Sequence, residues 1–164
     1  MEYQLKPGLG ELLRYVGELV DQGAESHYRE MSLTYRARYT PVLRALRAGA
    51  QTVTDITTCT RLTQGAISQS VALLEADGLL MRHALADGRK SGIRLTASGE
   101  ALVARLEQHW EATFAAISQL EAEIGHPLRQ VLQCAATALE QQGFDQRLSQ
   151  AKRDGAAGES KYVE

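Results

Sequence analysis

The sequence predicts a mainly α fold with one small β-hairpin, and three observations predict it. Apolar residues recur at spacings of three and four along most of the chain. Short segments led by threonine, the mark of helix N-caps, crowd into residues 52–76. One stretch, 79–96, instead reads as two short strands around a turn rich in Gly and charge.

Residues 8–30 read as one long helix, with Leu9, Leu12, Leu13, Val16, Leu19 and Val20 as its stripe. A small domain cannot cover so long an aliphatic face, so a partner helix is expected. Residues 35–48 form a second helix. Pro41 fits at its first position if Thr40 is the cap, Val42, Leu43 and Leu46 face inward, and Gly49 stops it. A short helix follows over 53–59, capped by Thr52 or Thr54, then a turn at Cys59–Leu62. Thr63 caps a helix over 64–76 that Gly78 ends. LLMRHAL (79–85) and GIRLT (92–96) are strand-like, and the DGRKSG segment between them forms a turn. Thr96 caps a long helix near 97–123, lined by Leu102, Val103, Leu106, Trp110, Phe114, Ile117 and Leu120. Gly125 ends it, and Pro127 opens a last helix to about Gln142. Residues 143–164 close on GAAGESKYVE, which carries almost no apolar residues and reads as a disordered tail.

Two capped helices joined by a tight turn, then a basic hairpin, describe a winged helix-turn-helix. At about 100° per residue, Ile67, Val71 and Leu74 share the inner side of helix 64–76. Gly65, Gln69, Ala72 and Ala76 fall opposite, with Ser68 on the flank. Such a small, uncharged face permits close approach to a duplex, and a glutamine amide can pair with adenine in the major groove. The alternative is an ordinary amphipathic helix with an alanine-rich solvent face. The hairpin favours the first reading. Arg89 and Lys90 stand at its tip and Arg82 and Arg94 on its strands, a disposition suited to a narrow minor groove.

Charge supports this only when it is divided along the chain. Lys and Arg number 18 against 20 Asp and Glu, a net of -2, which as a whole gives no sign of nucleic acid. Residues 35–94, however, hold nine basic and four acidic residues, a net of +5. Residues 1–34 carry -3 and residues 95–164 carry -4. Aromatics make up only 5% of the chain, which argues against stacking platforms for single strands. No apolar run approaches the roughly 20 residues of a membrane span. The N-terminus contains acidic residues and no continuous apolar core, so it is not read as a signal peptide. Cys59 and Cys134 lie in no CxxC pattern, which points to a reducing cytoplasm.

The segments TPVLRAL (40–46), TDITTCTRLTQGAISQSVALLEADGLL (54–80) and ADGRKSGIRLTASGEAL (86–102) together resemble the multiple-antibiotic-resistance regulator (MarR) family of bacterial transcription factors. The resemblance spans about residues 8–142. It implies a winged-helix subunit of a symmetric homodimer. Residues 1–34 and 97–142 would supply dimerisation helices, and 35–96 a domain for double-stranded DNA with a pseudo-palindromic site. By position, Gln64, Gly65, Ala66, Ser68 and Gln69 match the stretch that touches bases and backbone in that family. Asp87 and Arg89 match its wing Asp-x-Arg. Arg61 departs from the glycine that many relatives carry in the turn, and the reading face lacks their Lys or Arg. The resemblance further implies a repressor whose DNA binding is relieved by a small aromatic or anionic ligand. The matching neighbourhood holds His27, Tyr28, Tyr35, Arg36, Arg38, Tyr39, His109 and Trp110, where arginine beside aromatics suits an aromatic carboxylate. The alternative there is that the aromatics simply cap the core.

The remaining candidates are weaker. His27, His83, His109 and His126 share no helical spacing with one another, so no metal and no cofactor is expected. Neither GxSxG, HExxH nor a phosphate- or dinucleotide-binding glycine pattern occurs, so an enzyme is not expected. A winged helix adapted to protein–protein contact is the competing function. It calls for an apolar or acidic outer face on helix 64–76 and a neutral wing.

Overall fold

A computed structural model of the chain describes residues 6–88 and 91–159, the last four of these by backbone alone. Helix α1 spans Leu9–Glu30, α2 Thr40–Arg47, α3 Val53–Cys59 and α4 Gln64–Ala76. Strands β1 (Leu80–Ala84) and β2 (Ser91–Leu95) form one antiparallel hairpin, followed by α5 (Ala97–Ile124), α6 (Leu128–Gln141) and α7 (Phe144–Glu159). The fold is mainly helical with a two-stranded wing, as the sequence predicts. It divides into a unit reaching to Thr113 and a second unit beginning at Phe114.

The caps explain the boundaries of the first unit. The Thr52 hydroxyl accepts from the Asp55 amide at 3.0 Å, and the Asp55 carboxylate accepts in return from the Thr52 amide at 2.9 Å. Two otherwise orphaned donors are thereby satisfied at the start of α3. Thr63 caps α4 through the Ala66 amide at 3.2 Å. Gly49 and Gly78 end α2 and α4 with φ of +106° and +71°, conformations that side chains rarely adopt.

The region 35–48 is not one helix. Ala37–Tyr39 forms a 3-10 turn, and α2 begins at Thr40 with Tyr39 as its cap residue. Thr40 does not cap because its hydroxyl is engaged elsewhere. It lies 2.9 Å from the Tyr35 hydroxyl and 3.5 Å from that of Tyr28.

The core of this unit draws on every element. Val42, Leu43, Ile56, Ile67, Leu74 and Leu106 are fully buried, and Tyr28, Tyr35, Tyr39, Leu80, Ile93, Val103 and Trp110 pack with them. Leu33, Leu79, Leu95 and Leu102 close its edges. The hairpin is fastened at its base. The Ile93 amide donates to the Gln51 carbonyl at 2.8 Å, and the Thr96 amide to that of Leu79 at 3.0 Å. The Thr96 hydroxyl also donates to Gly78 at 2.6 Å and caps α5 through the Gly99 amide at 3.1 Å.

In the second unit, Arg129 closes the corner between α5 and α6. Its backbone amide and guanidinium both donate to the Glu121 carboxylate, at 2.8 to 3.2 Å, and it lies 5.8 Å from the centre of the Phe114 ring. These bonds hold the Glu121 carboxyl below its usual range.

The tail is the larger correction. Phe144–Glu159 forms a helix rather than a disordered segment; residues 160–164 lie outside the described residues. Arg147 reaches back to the carbonyls of Gln142 and Ala138 at 3.1 and 3.0 Å, satisfying groups left open at the end of α6. The carboxylate of Asp145 lies in the first turn, where the helix dipole favours it. Gln150 bonds Asp154 and Arg153 bonds Gln150 at helical spacing. Helix formation here rests on these local bonds and not on apolar burial.

Candidate nucleic-acid interface

Helix α4 presents its candidate residues on one open side. Ile67, Ser70, Val71 and Leu74 are buried, whereas Gln64, Gly65, Ala66, Ser68 and Gln69 are all exposed along the first two turns. The face carries amides and one hydroxyl but no charge, and a Cβ at Gly65 would meet nothing within 4 Å. The surface therefore admits a flat partner without side chains in the way. Ala72 and Ala76 continue it, both exposed.

The wing stands beside this helix. Register pairs Leu80 with Leu95, Arg82 with Ile93 and His83 with Gly92. Arg82 does not project freely. Its Nε lies 3.1 Å from the Glu75 carboxylate, tying β1 to the last turn of α4. That pair is half exposed and worth at most about 1 kcal/mol, so it orients more than it stabilises. Arg94 is exposed, opposite Met81. A turn begins where the Gly88 amide donates to the Leu85 carbonyl at 2.9 Å, with Gly88 at φ +63° and Asp87 exposed. The candidates Arg89 and Lys90 lie outside the described residues.

Residues 33–90 match the sequence profile of the MarR family. Over that segment the chain is similar to the MarR family. Of the ten candidate contact residues, nine fall within that MarR segment, and Arg94 follows it by four positions. Solved structures agree in fold. Bordetella bronchiseptica BpsR, whose DNA binding is regulated by 6-hydroxynicotinic acid, is 26% identical with a TM-score of 0.53, over 75% of this chain and 98% of that one. A MarR family transcriptional regulator from Silicibacter pomeroyi is 25% identical with a TM-score of 0.60, over 80% and 94% of the two chains. MepR from S. aureus, solved in complex with DNA, reaches 0.64 at 22% identity over 82% and 100%. No curated protein sequence matches the chain.

The second candidate set separates into two groups. Tyr28, Tyr35, Tyr39 and Trp110 are core residues of the first unit, exposed by no more than 7%. Tyr28 and Tyr35 meet edge to face at 4.5 Å, and Tyr28 lies 4.6 Å from the His109 ring. Burial pushes the Tyr35 hydroxyl far above its ordinary range, so it stays protonated. Desolvation, and then the neighbouring His27, lower the His109 pKa. His27 is exposed and sits 3.3 Å from the Glu30 carboxylate. Arg36 and Arg38 are exposed and do not join the ring cluster. Arg36 instead borders a groove of about 500 Å³ with Gln22, Glu25, Arg29, Leu33, Thr34 and Tyr35.

Sequence reasoning missed the devices that join wing and helix: Glu75 on Arg82, and Gln51 on Ile93. Each links residues whose adjacency only the folded hairpin creates. Among the described residues no group of three His, Cys, Asp or Glu is placed to hold a metal ion. Nor is any helix among them long and apolar enough to cross a membrane.

Proposed function

We propose that this chain is a homodimeric, sequence-specific regulator of transcription that binds double-stranded DNA in the cytoplasm and acts as a repressor. The observation that carries the reading is the exposed, uncharged first half of α4 beside a basic hairpin, in a segment of net +5. Helix α4 enters the major groove, where Gln69 reads adenine and Gln64 and Ser68 contact neighbouring edges or phosphates. The α4 N-terminus favours a phosphate through its dipole. Arg89, steadied by Asp87, enters the flanking minor groove, with Lys90 and Arg94 toward the backbone. Arg82 supports the wing through Glu75.

Dimerisation is supported by apolar surface that one chain leaves open. Leu9, Leu12, Leu13, Val16, Leu19 and Val20 on α1 are each 40 to 66% exposed. On α6, Val131, Leu132 and Leu139 are exposed as well, and that helix has no buried residue. A second copy covers these stripes, which makes residues 1–34 and 97–142 dimerisation elements. Twofold symmetry then requires half-sites about one helical turn, roughly 34 Å, apart. A small aromatic acid relieves binding from the groove bordered by Arg29, Tyr35 and Arg36, where guanidinium beside an aromatic wall suits a carboxylate. BpsR, regulated by 6-hydroxynicotinic acid, supports that part of the reading.

The test is a titration of duplex DNA selected from a random pool, with parent, Gln69→Ala and Arg89→Ala proteins. Arg89→Ala weakens binding and makes the salt dependence shallower by about one charge, and Gln69→Ala relaxes base preference. Variants that bind every duplex as the parent does would refute the groove assignments.

A further inference from the structure

Gly92 is buried at the second rung from the end of the hairpin, directly across from His83. A Cβ on Gly92 would stand 2.5 Å from both Cε1 and Nε2 of His83 and 2.8 Å from Cδ2 of Leu85. Ordinary contact between such atoms needs about 3.5–4.0 Å. The imidazole thus occupies the space that any other residue at 92 would fill. His83 Nδ1 is buried and has no hydrogen-bond partner. Packing against the glycine, rather than a bond, holds the ring there. Three anchors of the hairpin lie nearer its base: Thr96 to Leu79, Ile93 to Gln51 and Arg82 to Glu75. Among the described residues, the Ala84–Ser91 rung follows His83 and Gly92 toward the turn.

We propose that His83 is a positioning residue of the wing: its ring, seated on Gly92, sets the twist of the last rungs and so the direction of the turn that follows Ala84. Close approach across a strand pair is a recognised use of glycine in a sheet. Here it lets one side chain span the space of two and stiffens a two-stranded ribbon that would otherwise twist freely. This inference rests on the reading that the hairpin is a DNA-contacting wing.

The experiment combines footprinting with a measurement on the free protein. Gly92→Ala costs about tenfold in affinity for the selected duplex, the scale of one groove contact. In a His83→Ala background the same change costs less than about twofold, because the ring is gone and the remaining Leu85 Cδ2, at the far end of a flexible side chain, can turn aside. Protection of the flanking minor grooves from hydroxyl radicals is lost in Gly92→Ala, while protection of major-groove purines under α4 persists. A merely structural role would lose both together, and that result overturns the proposal. Equal costs in the two backgrounds overturn it as well.

In the DNA-free protein, an NMR contact joins the His83 ring to the Gly92 Hα protons. Gly92→Ala shifts the Asp87 and Gly88 resonances and leaves those of Gln64–Gln69 in place. A parent protein that protects no duplex refutes the DNA-binding reading. The rung is then judged by these resonances alone, and unmoved Asp87 and Gly88 signals show that His83 positions nothing.

Discussion

At Gly99 the usual helix rule reverses sign. Glycine inside a helix costs about 1 kcal/mol relative to alanine. Yet a Cβ at Gly99 would run into the backbone carbonyl of Leu79, the same carbonyl that accepts from Thr96. Gly99→Ala is therefore expected to destabilise by about 1–3 kcal/mol, as overpacking does, and urea denaturation measures it. His109 supplies a pH dependence. Its folded pKa is lowered, first by desolvation and then by His27. As pH falls below about 6.5, the unfolded chain binds a proton that the folded chain resists, so stability drops down to the folded pKa and levels off below it. The thermal midpoint should fall between about pH 7 and pH 5.5, and His109→Gln should flatten that fall. An undiminished slope in the variant would exclude His109 as its source. Residues of this kind were only partly legible. The inward set Ile67, Val71 and Leu74 followed from periodicity and is buried to within 1%. The clash at Gly99 needed the position of a carbonyl twenty residues earlier in the chain.

Elements were legible where a local signal fixed both ends. The caps at Thr52, Thr63 and Thr96 and the stops at Gly49, Gly78 and Gly125 lie where the sequence places them. Thr52→Ala should cost about 1 kcal/mol through the lost cap on α3, read as a lower urea midpoint at unchanged m-value. Two elements misled for physical reasons. Thr40 resembles a cap, but two tyrosine hydroxyls recruit it, and the helix starts from a 3-10 turn instead. Helix α7 escaped because few of its residues are apolar. Its order comes from Arg147 on the carbonyls of α6 and from polar pairs along the helix. Arg147→Ala should lower helix content by circular dichroism. An unchanged spectrum would mean that α7 does not depend on that bridge.

For the whole molecule, the near-neutral net charge hides a division of labour. A segment of +5 lies between a stretch of -3 and one of -4. On the proposed reading, double-stranded DNA attracts the first and repels the others, so the charge pattern would orient the protein before any base is read. In the proposed dimer a second copy covers the open apolar stripes on α1 and α6, and its twofold symmetry would set the operator. The direct measurement is selection from random duplexes, followed by the mass of the complex formed on the winning sequence. The account predicts an enriched pseudo-palindrome whose half-sites lie about 10 base pairs apart, bound by two chains. An asymmetric site bound by a single chain, or no enriched sequence at all, would contradict it.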